Sequence, residues 1–140
     1  MTHRRNIKGL GEIARRVNDL DAMQRFYQDV IDLELMERSE NAVFFRIAEG
    51  YGGHTQVLVL FDRSEQPDYV GLNPTTTTVD HIAFEIDLAD FESEKQQLEH
   101  LGVAVSTAEH AWVHWRSLYV TDPEGHTVEL VCYDPSVTDE

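Results

Sequence analysis

The sequence predicts an α+β chain made of two tandem modules, each running from a strand through a helix into further strands. An internal repeat carries this expectation. The segment Glu12-Ile13-Ala14-Arg15-Arg16-Val17-Asn18-Asp19-Leu20 lies 69 positions before His81-Ile82-Ala83-Phe84-Glu85-Ile86-Asp87-Leu88-Ala89. Both pass from a short strand through an Asn/Asp turn into a helix. The strand ends repeat as well, since His54-Thr55-Gln56-Val57-Leu58-Val59 echoes His126-Thr127-Val128-Glu129-Leu130-Val131.

The elements follow in order. The first helix carries Leu20, Met23, Phe26/Tyr27 and Val30/Ile31 at spacings of three to four, with Asp19 as N-cap. Strands are expected over Ala42–Ile47 and Gln56–Phe61. The stretch 63–78, with Pro67, Gly71, Pro74 and a run of threonines, reads as a linker. The second helix places Leu88, Phe91, Leu98 and Leu101 on one stripe and stops at Gly102. Strands at Val103–Ser106, Ser117–Thr121 and Thr127–Val131 complete the second half. A single domain over residues 1–140 is expected, with modules at 9–62 and 79–133.

The composition bounds the function. A chain of 140 residues can bury roughly two thirds of its unfolded surface, enough for a core without disulfides. The longest apolar run, Val57 to Phe61, is too short to span a bilayer. No apolar stretch follows the basic N-terminal run, so no signal peptide is expected. A lone cysteine, Cys132, agrees with a reducing, cytoplasmic setting. The net charge of −15 is uneven: residues 1–63 hold 9 Lys/Arg against 10 Asp/Glu, and residues 64–140 hold 2 against 16. Such an acidic chain disfavours nucleic acid, whose binding rests on basic contacts with phosphate. A solvated acidic surface, a metal ion or a cationic ligand remain as readings.

Strand alternation decides which side chains share a face. Ile82, Phe84 and Ile86 suit packing under a helix, leaving His81, Ala83 and Glu85 on the other side. Ile13, Arg15 and Val17 are their counterparts, leaving Glu12, Ala14 and Arg16. Glu12 is thus the repeat partner of His81. On the last strand Glu129 lies with Thr127 and Val131, opposite Val128, Leu130 and Cys132. The hairpin Asp122-Pro123-Glu124-Gly125-His126 suits a three-residue loop. Pairing Asp122 with His126 places Tyr119 across from Glu129.

Three stretches together resemble the vicinal oxygen chelate family, which includes glyoxalase I, extradiol dioxygenases, methylmalonyl-CoA epimerase and bleomycin-resistance proteins. They are the Val17-Asn18-Asp19-Leu20 turn before Arg25-Phe26-Tyr27-Gln28-Asp29-Val30, Val79-Asp80-His81-Ile82-Ala83-Phe84, and Tyr119-Val120-Thr121-Asp122-Pro123-Glu124-Gly125-His126-Thr127-Val128-Glu129-Leu130. The resemblance spans about residues 9–133. It implies paired βαβββ modules whose curved, mainly antiparallel sheets enclose a cavity, often with a metal at its floor.

It also implies a ligand set. The family's metal positions, most often His, His and Glu, fall here on Glu12, His81 and Glu129, the first being a departure. One imidazole with two carboxylates suits Fe²⁺, Mn²⁺ or Ni²⁺ better than Zn²⁺. A hydrogen-bonded core histidine is the alternative for His81, and a surface ion pair with Arg16 or Arg116 the alternative for Glu12. Glu129 maps onto Val57 in the first module, or onto Val59 if the strand is shifted by one pair. Either way, the glutamate that glyoxalase I uses there is missing.

Extradiol dioxygenases add a histidine and a tyrosine upstream of the final glutamate, and His110, Tyr119 and Glu129 match that spacing. In that reading His110 and Tyr119 are catalytic, bonding a phenolate or dioxygen. In the alternative, Tyr119 lines a wall and His110 lies in a loop. Trp112 and Trp115 are candidate ligand-binding aromatics, or interface packing. Cys132 faces the core.

Two function classes follow. The first is a metal-dependent dioxygenase or lyase acting on a small substrate with adjacent oxygens, with extradiol cleavage as the first subclass to test. The second is a dimeric protein that sequesters a small cationic or aromatic ligand, like the bleomycin-resistance members, with no metal. A homodimer is expected under both.

Overall fold

The computed structural model describes residues 6–139, so the basic N-terminal run over residues 1–5 lies outside the described residues. The chain divides between Gly71 and Leu72 into two units, each folded on its own core. The class is α+β, and each unit is a βαβββ module with a curved four-stranded sheet.

In the first unit β1 (Glu12–Val17) leads into helix α1 (Leu20–Arg25), followed by β2 (Glu34–Arg38), β3 (Ala42–Glu49) and β4 (Thr55–Asp62). The sheet order is β1-β4-β3-β2, with β1 parallel to β4 and the other pairs antiparallel. Asp19 caps α1 as expected, its Oδ1 accepting the Ala22 N–H at 3.0 Å. Met23, Tyr27, Val43, Phe45, Leu58 and Leu60 are buried between helix and sheet, with Tyr27 against Phe45.

The second unit repeats the order: β5 (His81–Glu85), α2 (Phe91–His100), β6 (Ser106–His110), β7 (Trp115–Thr121) and β8 (Thr127–Tyr133). Its sheet runs β5-β8-β7-β6, again with only the first pair parallel. Phe84, Leu118, Val120, Val128, Leu130 and Cys132 are buried on one side of the sheet, as are Phe91 and Leu98 of α2. Among the described residues no helix is long and apolar enough to cross a membrane.

Four local expectations are corrected. The first helix is not uniformly α: Phe26–Val30 forms a π turn that ends at Asp32 with φ +70°. Strand β2 was not expected, because it is mostly exposed and carries a bulge between Leu35 and Glu37 that removes clean alternation. The strand placed at Val103–Ser106 begins only at Ser106. The Val103 N–H is committed to the Leu98 carbonyl and the Gly102 N–H to that of Glu99, so the helix C-cap holds this segment. Of the α2 stripe, Phe91 and Leu98 are buried, whereas Leu88 and Leu101 are nearly half exposed.

Gly102 sits at φ +81° with open space around any added Cβ. The cost of Gly102→Ala is therefore that of the left-handed backbone alone, about 1 kcal/mol. A urea unfolding midpoint lowered accordingly, with an unchanged m-value, is the expected result.

The C-terminal turn is anchored by Asp134. Hydrogen bonds from the Ser136 hydroxyl and N–H, together with Arg116, hold its carboxyl below the ordinary carboxylate range. A folded-state value below the unfolded one stabilises fully above about pH 4 and is lost as pH falls through the lowered value. Asp134→Asn is thus expected to flatten the acid-side decline of the unfolding midpoint. An unchanged slope would remove Asp134 from that role.

Candidate functional site

Side chains on the face of the second sheet away from α2 gather at one point. His81 opens β5, and its Nε2 lies 2.8 Å from Glu129 Oε1 on β8. The other ring nitrogen, Nδ1, is 2.7 Å from Asp80 Oδ1. Glu129 is buried, and its second oxygen accepts the Ser117 hydroxyl at 2.6 Å. Ser117 itself is fully buried on β7, two residues before Tyr119.

This arrangement constrains protonation. A carboxylate on Nδ1 holds a proton there, so a neutral His81 turns its Nε2 lone pair toward Glu129. The 2.8 Å contact is then met either by a proton shared between Nε2 and Glu129 or by a cation that both atoms hold. Ligand bonds of about 2 Å meeting near a right angle separate their donor atoms by about 3 Å, so the pair fits two neighbouring positions on one ion. Among the described residues no group of three or more His, Cys, Asp or Glu that would hold a metal is gathered. The second unit supplies two donors.

Tyr119 is the direct cross-strand partner of Glu129, because Asp122 and His126 close the hairpin as the sequence predicts. Its hydroxyl is 3.0 Å from His110 Nε2, and its ring meets that of His81 edge-on. His110 ends β6 and so lies in a strand, not a loop. The structure thus brings together His81, Glu129, His110 and Tyr119. Trp115 shares their face of the sheet and is 42% exposed. Trp112 stands apart on the turn Ala111–Val113, 83% exposed.

Glu12 belongs to the first unit, where it opens β1 opposite Val57. In that unit Ala14 pairs with Val59 and Val59 with Phe44, whereas in the second Ala83 pairs with Glu129 and Glu129 with Tyr119. Register therefore resolves the open alternative: Val59 corresponds to Glu129, and Phe44 to Tyr119. The first unit offers apolar groups where the second offers a carboxylate and a phenol. Cys132 faces the helix side, and burial pushes its thiol up, away from the reactive thiolate.

Sequence reasoning missed Asp80 and Ser117. Asp80 directly precedes a candidate ligand histidine, and Ser117 shares a strand face with Tyr119. Those two positions were the available signals.

The chain is similar in sequence and fold to several known proteins. Metallothiol transferase FosB of Staphylococcus epidermidis is 28% identical over 125 residues, covering 89% of this chain and 81% of that protein. The crystal structure of lactoylglutathione lyase from Agrobacterium tumefaciens superposes with a TM-score of 0.68 at 30% identity, covering 91% of this chain and 96% of that one. A variant of the fosfomycin resistance protein FosX of Listeria monocytogenes, solved with Mn(II) and 1S,2S-dihydroxypropylphosphonic acid, gives a TM-score of 0.64 at 25% identity over 89% of each chain. The family model described as Glyoxalase/Bleomycin resistance protein/Dioxygenase superfamily matches residues 9–130, and the chain belongs to that superfamily.

Proposed function

We propose that the chain is a metal-dependent enzyme that takes a small substrate through two adjacent oxygens. Its ligands are His81, Glu129 and, by its repeat relation to His81, Glu12. The observation that carries this reading is the 2.8 Å approach of His81 Nε2 to Glu129 Oε1, with Nδ1 already committed to Asp80. Mn²⁺, Fe²⁺ or Ni²⁺ suit this donor set better than Zn²⁺, and the relative FosX was solved with Mn(II). When bound, the ion supplies a Lewis acid for a substrate oxygen.

The protein's own groups do the rest. Asp80 sets the His81 tautomer, and Ser117 orients Glu129 without adding charge. The Tyr119 hydroxyl, bonded to His110 Nε2, gives a proton to a substrate oxygen or takes one from it, with His110 as the reservoir. A proton group beside a chelated oxygen serves two reactions. An opening epoxide needs a proton at the oxygen it frees, and a catechol must lose one before extradiol cleavage. The FosB and FosX relatives make fosfomycin with a thiol or water the first substrate to test, ahead of catechols.

The deciding measurement is Mn²⁺ titration, reading free ion by electron paramagnetic resonance. Saturable binding near one ion per chain is expected, and no binding of Mn²⁺, Fe²⁺ or Ni²⁺ would overturn the reading. Ser117→Ala is expected to weaken Mn²⁺ binding by about 10- to 100-fold, the usual effect of losing a group that orients a ligand. We further infer a homodimer, checked by light scattering as twice the chain mass of 16.1 kDa. The exposure of Trp112 and Trp115 favours a second reading, sequestration of a cationic or aromatic ligand without turnover. Saturable tryptophan quenching by a bleomycin-type compound, with no metal requirement and no turnover, would select it.

A further inference from the structure

Within the first unit, the sheet face away from α1 carries an arginine without a partner. Glu12, Val57 and Arg46 form one row across β1, β4 and β3, so they share that face. The next row, Ala14, Val59 and Phe44, is apolar, with Val59 fully buried. Arg46 is part-buried, and among the described residues its guanidinium makes no hydrogen bond, ion pair or ring contact. Glu34 stands directly across from it on β2, yet the two do not pair. The register shifts between Arg46 and Ala48, a bulge of the kind that re-aims a side chain beside a site.

The row has the dimensions of a short ligand. Neighbouring strands lie about 4.8 Å apart, so the Cα atoms of Glu12 and Arg46 are about 10 Å apart with Val57 between them. A metal bond of about 2 Å on the Glu12 side and a charge-assisted hydrogen bond of about 2.8 Å on the Arg46 side both fit that span. A guanidinium stays charged at any working pH, and its planar fork matches two oxygens of a phosphonate or carboxylate. The apolar Val57, Val59 and Phe44 strengthen such a contact by lowering the local dielectric. A cationic ligand would meet a like charge, and a neutral one would leave Arg46 unanswered. Residues 1–63 hold 9 Lys/Arg against 10 Asp/Glu, so this half lacks the acidic excess that would repel an anion.

We propose that Arg46 determines the specificity of the site, holding an oxyanion of the substrate, a phosphonate or carboxylate, in the same row as the proposed ligand Glu12. The substrate role rests on the proposed function, whereas the binding of the oxyanion by Arg46 does not.

The test is calorimetric titration with phenylphosphonate, with and without Mn²⁺. Saturable binding is expected. It should weaken about tenfold in Arg46→Gln, recover in part in Arg46→Lys, which restores the charge without the fork, and be absent with phenyltrimethylammonium, a cation of similar shape. Arg46→Gln should keep Mn²⁺ affinity within about twofold, and its effect on phenylphosphonate should persist in a His81→Ala background that no longer binds Mn²⁺. No saturable binding, equal binding of phenyltrimethylammonium, or an unchanged affinity in Arg46→Gln would each overturn the inference. An equal fall of the urea midpoint in Arg46→Gln and Glu34→Gln, with phenylphosphonate affinity unchanged, would make Arg46 a cross-strand ion-pair partner instead. If Mn²⁺ binds and phenylphosphonate does not, the role of Arg46 fails while the metal reading stands. If phenylphosphonate binds through Arg46 and Mn²⁺ does not bind, the oxyanion site stands and its role in a metal-dependent reaction falls.

Discussion

Replacing Glu129 with Gln or Ala is expected to weaken Mn²⁺ binding by at least about 100-fold, since even the groups that merely orient a ligand are worth about 10- to 100-fold. Glu129 is buried, faces His81 Nε2 at 2.8 Å and is held by a fully buried Ser117. Glu129→Gln keeps the side-chain shape and an oxygen for the Ser117 hydroxyl while removing the charge. Loss of binding in the Gln variant, with an unchanged circular dichroism spectrum, therefore reports on the ligand and not on folding. Glu129→Ala removes the acceptor too and leaves the Ser117 hydroxyl buried without this partner, so that variant should also unfold more easily. Wild-type Mn²⁺ affinity in Glu129→Gln would remove the metal reading.

Asp122→Ala is expected to destabilise the protein by about 3 kcal/mol, from the loss of several hydrogen bonds to a buried carboxylate. Asp122 is buried, and its Oδ1 accepts the N–H groups of Glu124 and His126 while facing His126 Nδ1 at 3.0 Å. These bonds close the β7–β8 hairpin, and the hairpin sets the register that puts Tyr119 across from Glu129. Asp122→Asn, which keeps an acceptor, should recover much of the stability. The check is equilibrium urea unfolding together with NMR contacts between the Tyr119 and His110 rings, because a slipped register would separate the two. A loss below about 1 kcal/mol would show that the turn residues Pro123 and Gly125 suffice.

The helices and most strands were legible because burial imposes a period. Leu20, Met23 and Tyr27 recur at helical spacing, and Val128, Leu130 and Cys132 alternate; each set is buried in the structure. Strand β2 was illegible for the same reason reversed, since an exposed edge strand with a bulge needs no apolar alternation. The π turn and the late start of β6 depend on where backbone N–H groups find carbonyls, which residue type does not specify. In the site, His81 stood out through the repeat, Glu129 as a carboxylate on an otherwise apolar strand, and His110 and Tyr119 through the spacing that the family resemblance implies; of the four only Glu129 is buried.

By itself the sequence determined the duplicated α+β plan, the inward and outward faces of the strands, and the pairing of Tyr119 with Glu129. All of these follow from chain-local rules of period and turn geometry. Only the tertiary structure decided that Ser117 and Asp80 complete the His81–Glu129 pair and that Val59 stands where a second carboxylate would be. Those facts depend on strand register and side-chain distance across separate strands. A change of one residue in register moves every side chain to the opposite face.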